Sequence, residues 1–356
     1  MTTSKLIRLL PWIQEPLIVS APMRPFAAHE LATAVTLAKG LGFVPNGNQT
    51  VHTRSELEAA SKIFDSAALP QALGDVLKHS LPIGLGYQIY QESLEEAVEL
   101  ISEFKPIAVW LFAARQNEDY ARWAEAILGA SPNTTVWIQV GTIAEALAVV
   151  KLCGEEIVLV FQGSDAGGHG LQHSAGLITL LPEAADALSQ YNIPILAAGG
   201  ISEGRGAAAA LSLGADGIVM GTRFLAASES KTPKGFVEQI LHGKDGGRTT
   251  RRTRLFDNIR GTSDFPSEYN GRALINQSII DEDDGIPEDE TKQEYEDALR
   301  DPATGYGQKG RLVSYAGTGI GLVTEIKSAR EIVEETRRGA VHAIESIQHR
   351  ASRWRV

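Results

Sequence analysis

Cysteine occurs once in the 356 residues, at Cys153, so no internal disulfide and no thiolate metal cluster is available to the chain. That thiol closes the apolar stretch "VVKLC", which makes it a packing residue rather than a nucleophile. Long hydrophobic runs are missing as well. None approaches the roughly 20 residues of a membrane helix, and "MTTSKLIRLLPWIQEPLIVS" lacks the apolar core and small-residue cleavage site of a signal peptide. Positive charge is in deficit: a net charge of −11 disfavours nucleic acid and anionic membranes as partners. There is no Walker A loop and no G-x-S-x-G elbow, and "GTGIG" (Gly317–Gly321) lacks the third glycine of a dinucleotide fingerprint. The "HGLQH" pair, His169 and His173, has helical metal-site spacing. Gly170 stands where a zincin needs glutamate, however, and adjacent glycines oppose a helix, so no metal is expected. These gaps leave a soluble, intracellular and cytoplasmic protein whose partner is a small molecule.

What is present is a large apolar fraction, 43% of the chain, arranged in short β-branched runs that alternate with Ala/Leu/Glu-rich helical stretches. The predicted strands are Pro16–Ala21, Gly42–Pro45, Leu81–Tyr87, Pro106–Phe112, Thr135–Val140, Glu156–Gln162, Ile193–Gly200 and Asp216–Gly221. Eight near-continuous apolar strands with helices between them describe an α/β (β/α)8 TIM barrel, with a doubly wound sheet as the alternative. Residues 1–227 carry this pattern. It breaks over 228–310, a polar stretch read as an excursion over the barrel mouth, mostly loop and short helix, with an acidic, solvated run around Ile279–Asp297. The basic cluster "GGRTTRRTR" (Gly246–Arg254) reads as a solvated loop or an anchor for the barrel rim. Residues 311–356 return to the barrel with a closing helix.

Chemistry in a parallel barrel collects at the carboxyl ends of the strands. The sixth predicted strand runs into "FQGSDAGGHG" (Phe161–Gly170), four glycines and a histidine in ten residues. Glycine backbone can approach a ligand closely and histidine exchanges a proton near neutral pH, so this is either a cofactor-contacting loop with a base or a tight turn with an exposed histidine. Gly199 and Gly200 follow the seventh predicted strand, and Gly221 and Thr222 the eighth. Such barrels commonly hold phosphate there on backbone N–H groups. Tight turns without a ligand, or a flavin-free phosphate-binding isomerase or lyase, would use the same glycines.

The ordered set "APM" (Ala21–Met23), "GLGFV" (Gly40–Val44), "IQVGT", "GSDAGGHG", "AAGGIS", "GADGIVMGTRFLA" (Gly214–Ala226) and the late "GTGIGL" resembles the nitronate monooxygenase family, formerly called 2-nitropropane dioxygenases, over almost the whole chain. The resemblance implies an FMN-dependent barrel that oxidises nitronates or nitroalkanes with O2. It implies that Ala21, Pro22 and Met23 line the flavin ring, with Gln139 at its polar edge and Gly168 beside it. Gly199, Gly200, Gly221 and Thr222 would hold the FMN phosphate, and His169 would be the base. One position departs from the pattern: Gly86 stands where many members carry asparagine, and Gln88 is the residue placed to compensate. Related FMN barrels reduce quinones or enoyl thioesters with NAD(P)H, which is the rival reaction on the same scaffold.

Overall fold

The computed structural model describes residues 5–47, 50–301 and 305–354. Eight parallel strands close into a barrel: β1 (Leu17–Ser20), β2 (Leu41–Pro45), β3 (Leu81–Gln88), β4 (Pro106–Phe112), β5 (Thr135–Val140), β6 (Ile157–Gln162), then β8 (Ile195–Ala198) and β9 (Gly217–Met220). β9 pairs with β1, Leu17 beside Gly217 through Ser20 beside Met220, and this closes the ring. Every expected barrel strand is found, with ends moved by two residues at most. The (β/α)8 reading holds because strands covered on both faces need no polar alternation, and these have almost none. Among the described residues no helix is long and apolar enough to cross a membrane.

The barrel interior is filled by large aromatic side chains set against glycine. Phe43 meets Trp110 edge-on at 5.3 Å and Trp137 at 5.2 Å, while the two indoles stack at 6.2 Å. Gly84, paired with Phe43 across β2 and β3, has to lack a side chain because a Cβ there would enter the Phe43 ring. Offset and edge-on aromatic pairs add roughly 0.5–1.5 kcal/mol each beyond burial. Around the outside, helices start where capping residues stand. Ser328 and Glu331 form a reciprocal capping box for the closing helix Ala329–Ala351, whose inner face buries Ile332, Val333 and Ala340. Such a cap stabilises by about 1 kcal/mol.

The excursion differs from its expectation. Rather than loop and short helix alone, it contains strands β10 (Thr250–Thr253) and β11 (Tyr269–Leu274), which form an antiparallel sheet with β7 (Gly168–Leu171). The tail of the glycine-rich stretch is therefore a strand, and His169 sits opposite Gly271 in a ladder rather than on a turn. The acidic run is helical too, over Gln277–Asp283 and Glu288–Arg300, with Ile279 and Tyr295 buried beneath it. The basic cluster is an anchor. Arg251 pairs with Glu282 and Asp283 at 2.5 Å each, and Arg254 donates to the carbonyls of Ser263, Phe265, Pro266 and Tyr269.

Candidate active site

A cavity of about 840 Å3 opens at the carboxyl ends of the barrel strands. All the residues singled out from the sequence line it: Ala21, Pro22 and Met23 after β1, Gln88 at the end of β3, Gln139 on β5, Gly168 and His169 on β7, Gly199 and Gly200 after β8, and Gly221 and Thr222 after β9. Five separate barrel-strand ends and one added sheet bring these together across more than 200 positions of sequence.

The floor is joined to the aromatic core. Trp110 Nε1 donates to Gln139 Oε1 at 3.1 Å, and Gln139 is only 8% exposed. Its amide nitrogen, with no partner among the described residues, is what Gln139 offers to a ligand. At Gly86 a Cβ would lie 2.5 Å from Pro22 Cβ and 2.8 Å from its Cγ. An asparagine cannot stand there without moving the Pro22 wall, so the departure from the family pattern is a change of packing. Gln88 accepts from Gln91 Nε2 at 3.1 Å.

On the glycine side three loops interlock. Gly200 has φ +74°, a left-handed conformation that disfavours any side chain, and a Cβ there would come within 3.0 Å of Asp165 Cβ. The segment 317–319 lies across both loops. Gly317 N–H donates to Thr222 Oγ1 at 3.0 Å, Thr318 Oγ1 donates to Asp165 Oδ1 at 2.9 Å, and Ser202 Oγ donates to the Gly319 carbonyl at 3.2 Å. A Cβ on Gly319 would strike the Gly200 carbonyl. The "GTGIG" motif thus reads as close backbone packing around the site, through Gly317 and Gly319, rather than as a dinucleotide fingerprint.

The histidine wall is built by the excursion. Gln162 Nε2 donates to the His169 carbonyl at 3.1 Å, and Arg252 and Arg272 donate to the Ser164 carbonyl at 3.4 and 3.1 Å. Burial, then the neighbouring Arg272 charge, brings Arg252 down to about 10. The His169 ring stacks on Phe265 at 4.1 Å with 7° between planes, and Tyr315 lies at 5.3 Å. Its Nε2 is 2.8 Å from Oδ1 of Asp257, a side chain almost wholly enclosed. Sequence reasoning missed Asp257, Phe265 and Tyr315, because no spacing links them to His169. The one signal was apolar "LF" and lone phenylalanines inside a polar stretch. On the far rim, His29, Glu30 and Glu56 lie close enough to hold a cation, and Lys231 Nζ already stands 3.3 Å from both carboxylates.

Donors and glycines at the mouth of a (β/α)8 barrel, with a histidine over them, define a cofactor-binding enzyme. The chain belongs to the nitronate monooxygenase family, whose model matches residues 6–338, and so to the flavin-dependent oxidoreductases. The nitronate monooxygenase npaC of Metarhizium robertsii is 42% identical over 334 residues, 93% of each chain. The nitronate monooxygenase of Neurospora crassa is 34% identical over 97% of this chain and 94% of its own. Among solved structures, FabK from Thermotoga maritima matches in fold with a TM-score of 0.74 at 23% identity, covering 98% of this chain and 99% of that one.

Proposed function

We propose that the chain binds FMN at the barrel mouth and oxidises nitronates, and nitroalkanes after removal of an α-proton, with O2 as acceptor and a carbonyl compound and nitrite as products. The observation that carries this is His169, held by a rigid aromatic and carboxylate wall over a cavity whose other side is glycine backbone. The residues fit the cofactor. Gly199, Gly200, Gly221 and Thr222 offer backbone donors to a phosphate, and Gln139 keeps an amide donor for the polar edge of a ring. A Cβ at Gly168 would meet no protein atom within 4 Å, so that backbone borders open cavity, as a flat ring lying against it requires. Ala21, Pro22 and Met23 give the opposing apolar surface.

A nitro group acidifies its α-carbon, and the His169 imidazole takes that proton, leaving the nitronate. Bound FMN would supply the redox chemistry that follows, with O2 as the acceptor. The protein's share is to hold the ring's polar edge at Gln139 and the base over the carbon. A nitronate supplied already ionised needs no base. His169→Asn therefore should lose roughly 10²–10⁴-fold on neutral nitroalkanes and far less on nitronates, with cofactor content unchanged. Equal losses on both forms would remove the base role. An absorbance band near 450 nm that bleaches anaerobically with a nitronate supports the reaction. Rapid bleaching by NADH or NADPH instead would favour a reductase acting on quinones or enoyl thioesters, and a colourless protein a flavin-free barrel.

A further inference from the structure

Asp257 belongs to the short helix Leu255–Ile259 of the excursion and is 1% exposed. Its Oδ1 faces His169 Nε2 at 2.8 Å and also accepts from Thr262 Oγ1 at 3.4 Å. Its Oδ2 is buried without a hydrogen-bond partner among the described residues. An ionised carboxylate only accepts, so the proton shared between the two side chains belongs to Nε2. The ring cannot turn to exchange its nitrogens, because Phe265 covers one face in near-parallel contact and Tyr315 closes in at 58°. Arg254, by holding the carbonyls from Ser263 to Tyr269, fixes Phe265 in that place.

We propose that Asp257 is a positioning residue that holds His169 as its Nε2–H tautomer and makes Nδ1 the atom that accepts the substrate's α-proton. This rests on the reading of His169 as the base. In the step, the C–H bond breaks, Nδ1–H forms, and the electron pair stays on the substrate as the nitronate. The imidazolium then carries a proton on each nitrogen, and Asp257 remains ionised beside it as the balancing charge. Titratable groups whose fields reach Asp257 include Arg260, Tyr315 and Tyr90. Burial pushes Tyr90 up to about 12 and Tyr315 further, and Arg260 stays charged, so none of the three changes state in the neutral range.

The test needs no variant at first. In the ¹⁵N spectrum of histidine-labelled holoenzyme, with His169 assigned by its loss in His169→Asn, the wild-type ring should show a protonated Nε2 and a bare Nδ1. A protonated Nδ1 overturns the proposal, whatever His169→Asn does to activity. If His169→Asn keeps full nitroalkane turnover, it is the base reading that fails. Asp257→Asn, which removes the balancing charge, should lower nitroalkane turnover by roughly 10²–10⁴-fold while nitronate turnover stays within a few-fold. The acid limb of its nitroalkane pH profile should move to lower pH, since the imidazolium is no longer stabilised. Equal losses on both substrate forms with an unmoved acid limb would make Asp257 a merely structural residue.

Discussion

At the scale of single residues, glycine carries most of the information and needs the most discrimination. Gly200 and Gly221 both line the glycine side of the cavity, but their backbones differ. Gly200 is left-handed and close to Asp165, so Gly200→Val strains the fold directly and confounds a test of phosphate binding. Gly221 has φ −103°, and the nearest atom to an added Cβ is Met23 Sδ at 3.7 Å. Gly221→Ala should therefore leave the melting temperature within a few degrees while lowering the flavin retained on purification several-fold. Full retention in that variant would take the phosphate away from β9. The strand-end residues were legible because each follows an apolar strand directly. Asp257 was not, since its partner lies 88 positions away and only the tertiary fold makes them neighbours. Gly86 was read as a lost side-chain contact, whereas Pro22 fills the space a side chain would need.

Among the elements, the barrel strands stood out for their apolar continuity and the excursion sheet did not stand out at all. β7 is "GHGL" and β10 is "TRRT", which offer no apolar alternation and few β-branched residues. Their stability comes from arginines reaching loop carbonyls and from pairing with β11, neither of which a local window can register. The acidic segment misled in the other direction. Its charge suggested a solvated run, yet Ile279 and Tyr295 pack with Leu255, Phe256 and Leu312 in a small separate core. Arg251 and Arg311 offset part of the charge. The weak point is the exposed connection 284–287 between the two helices, where Gly285 has φ +75°. A protease specific for acidic residues should nick there first and leave the flavin bound. Tyr295→Ala removes the anchor of the second helix, a change that costs roughly 3–5 kcal/mol at a buried aromatic. Cleavage within 277–300 should then quicken by about 10²-fold or more, as the locally open form becomes more populated. An unchanged cleavage rate would mean that Tyr295 does not hold the helix.

For the whole molecule, the joint between barrel and excursion contributes to how stability responds to pH. Glu145 stands in the first turn of the helix Ile143–Cys153, just past β5, and its Oε2 accepts the Gly141 N–H at 2.8 Å. The Tyr269 hydroxyl, at the start of β11, hydrogen-bonds both Glu145 and Tyr120, so this carboxyl ties the added sheet to the barrel wall. Burial, with the charge of Glu268 adding to it, pushes Glu145 up to about 7 against the opposing Gly141 hydrogen bond. The ordinary value is 4.5, so the folded state holds a proton that the unfolded chain releases between those two values. Its contribution is complete below about pH 4.5, falls as the pH rises through the folded value near 7, and is lost above it. Glu145→Gln keeps an acceptor for Gly141 and a partner for Tyr269 without ever ionising. The variant should match the wild type in denaturant unfolding near pH 5. By about pH 8 it should exceed it by roughly 1–2 kcal/mol, the full shift being discounted for partial exposure. A gap of constant size from pH 5 to pH 8 would show that Glu145 titrates like an ordinary surface carboxyl and that the joint is insensitive to pH.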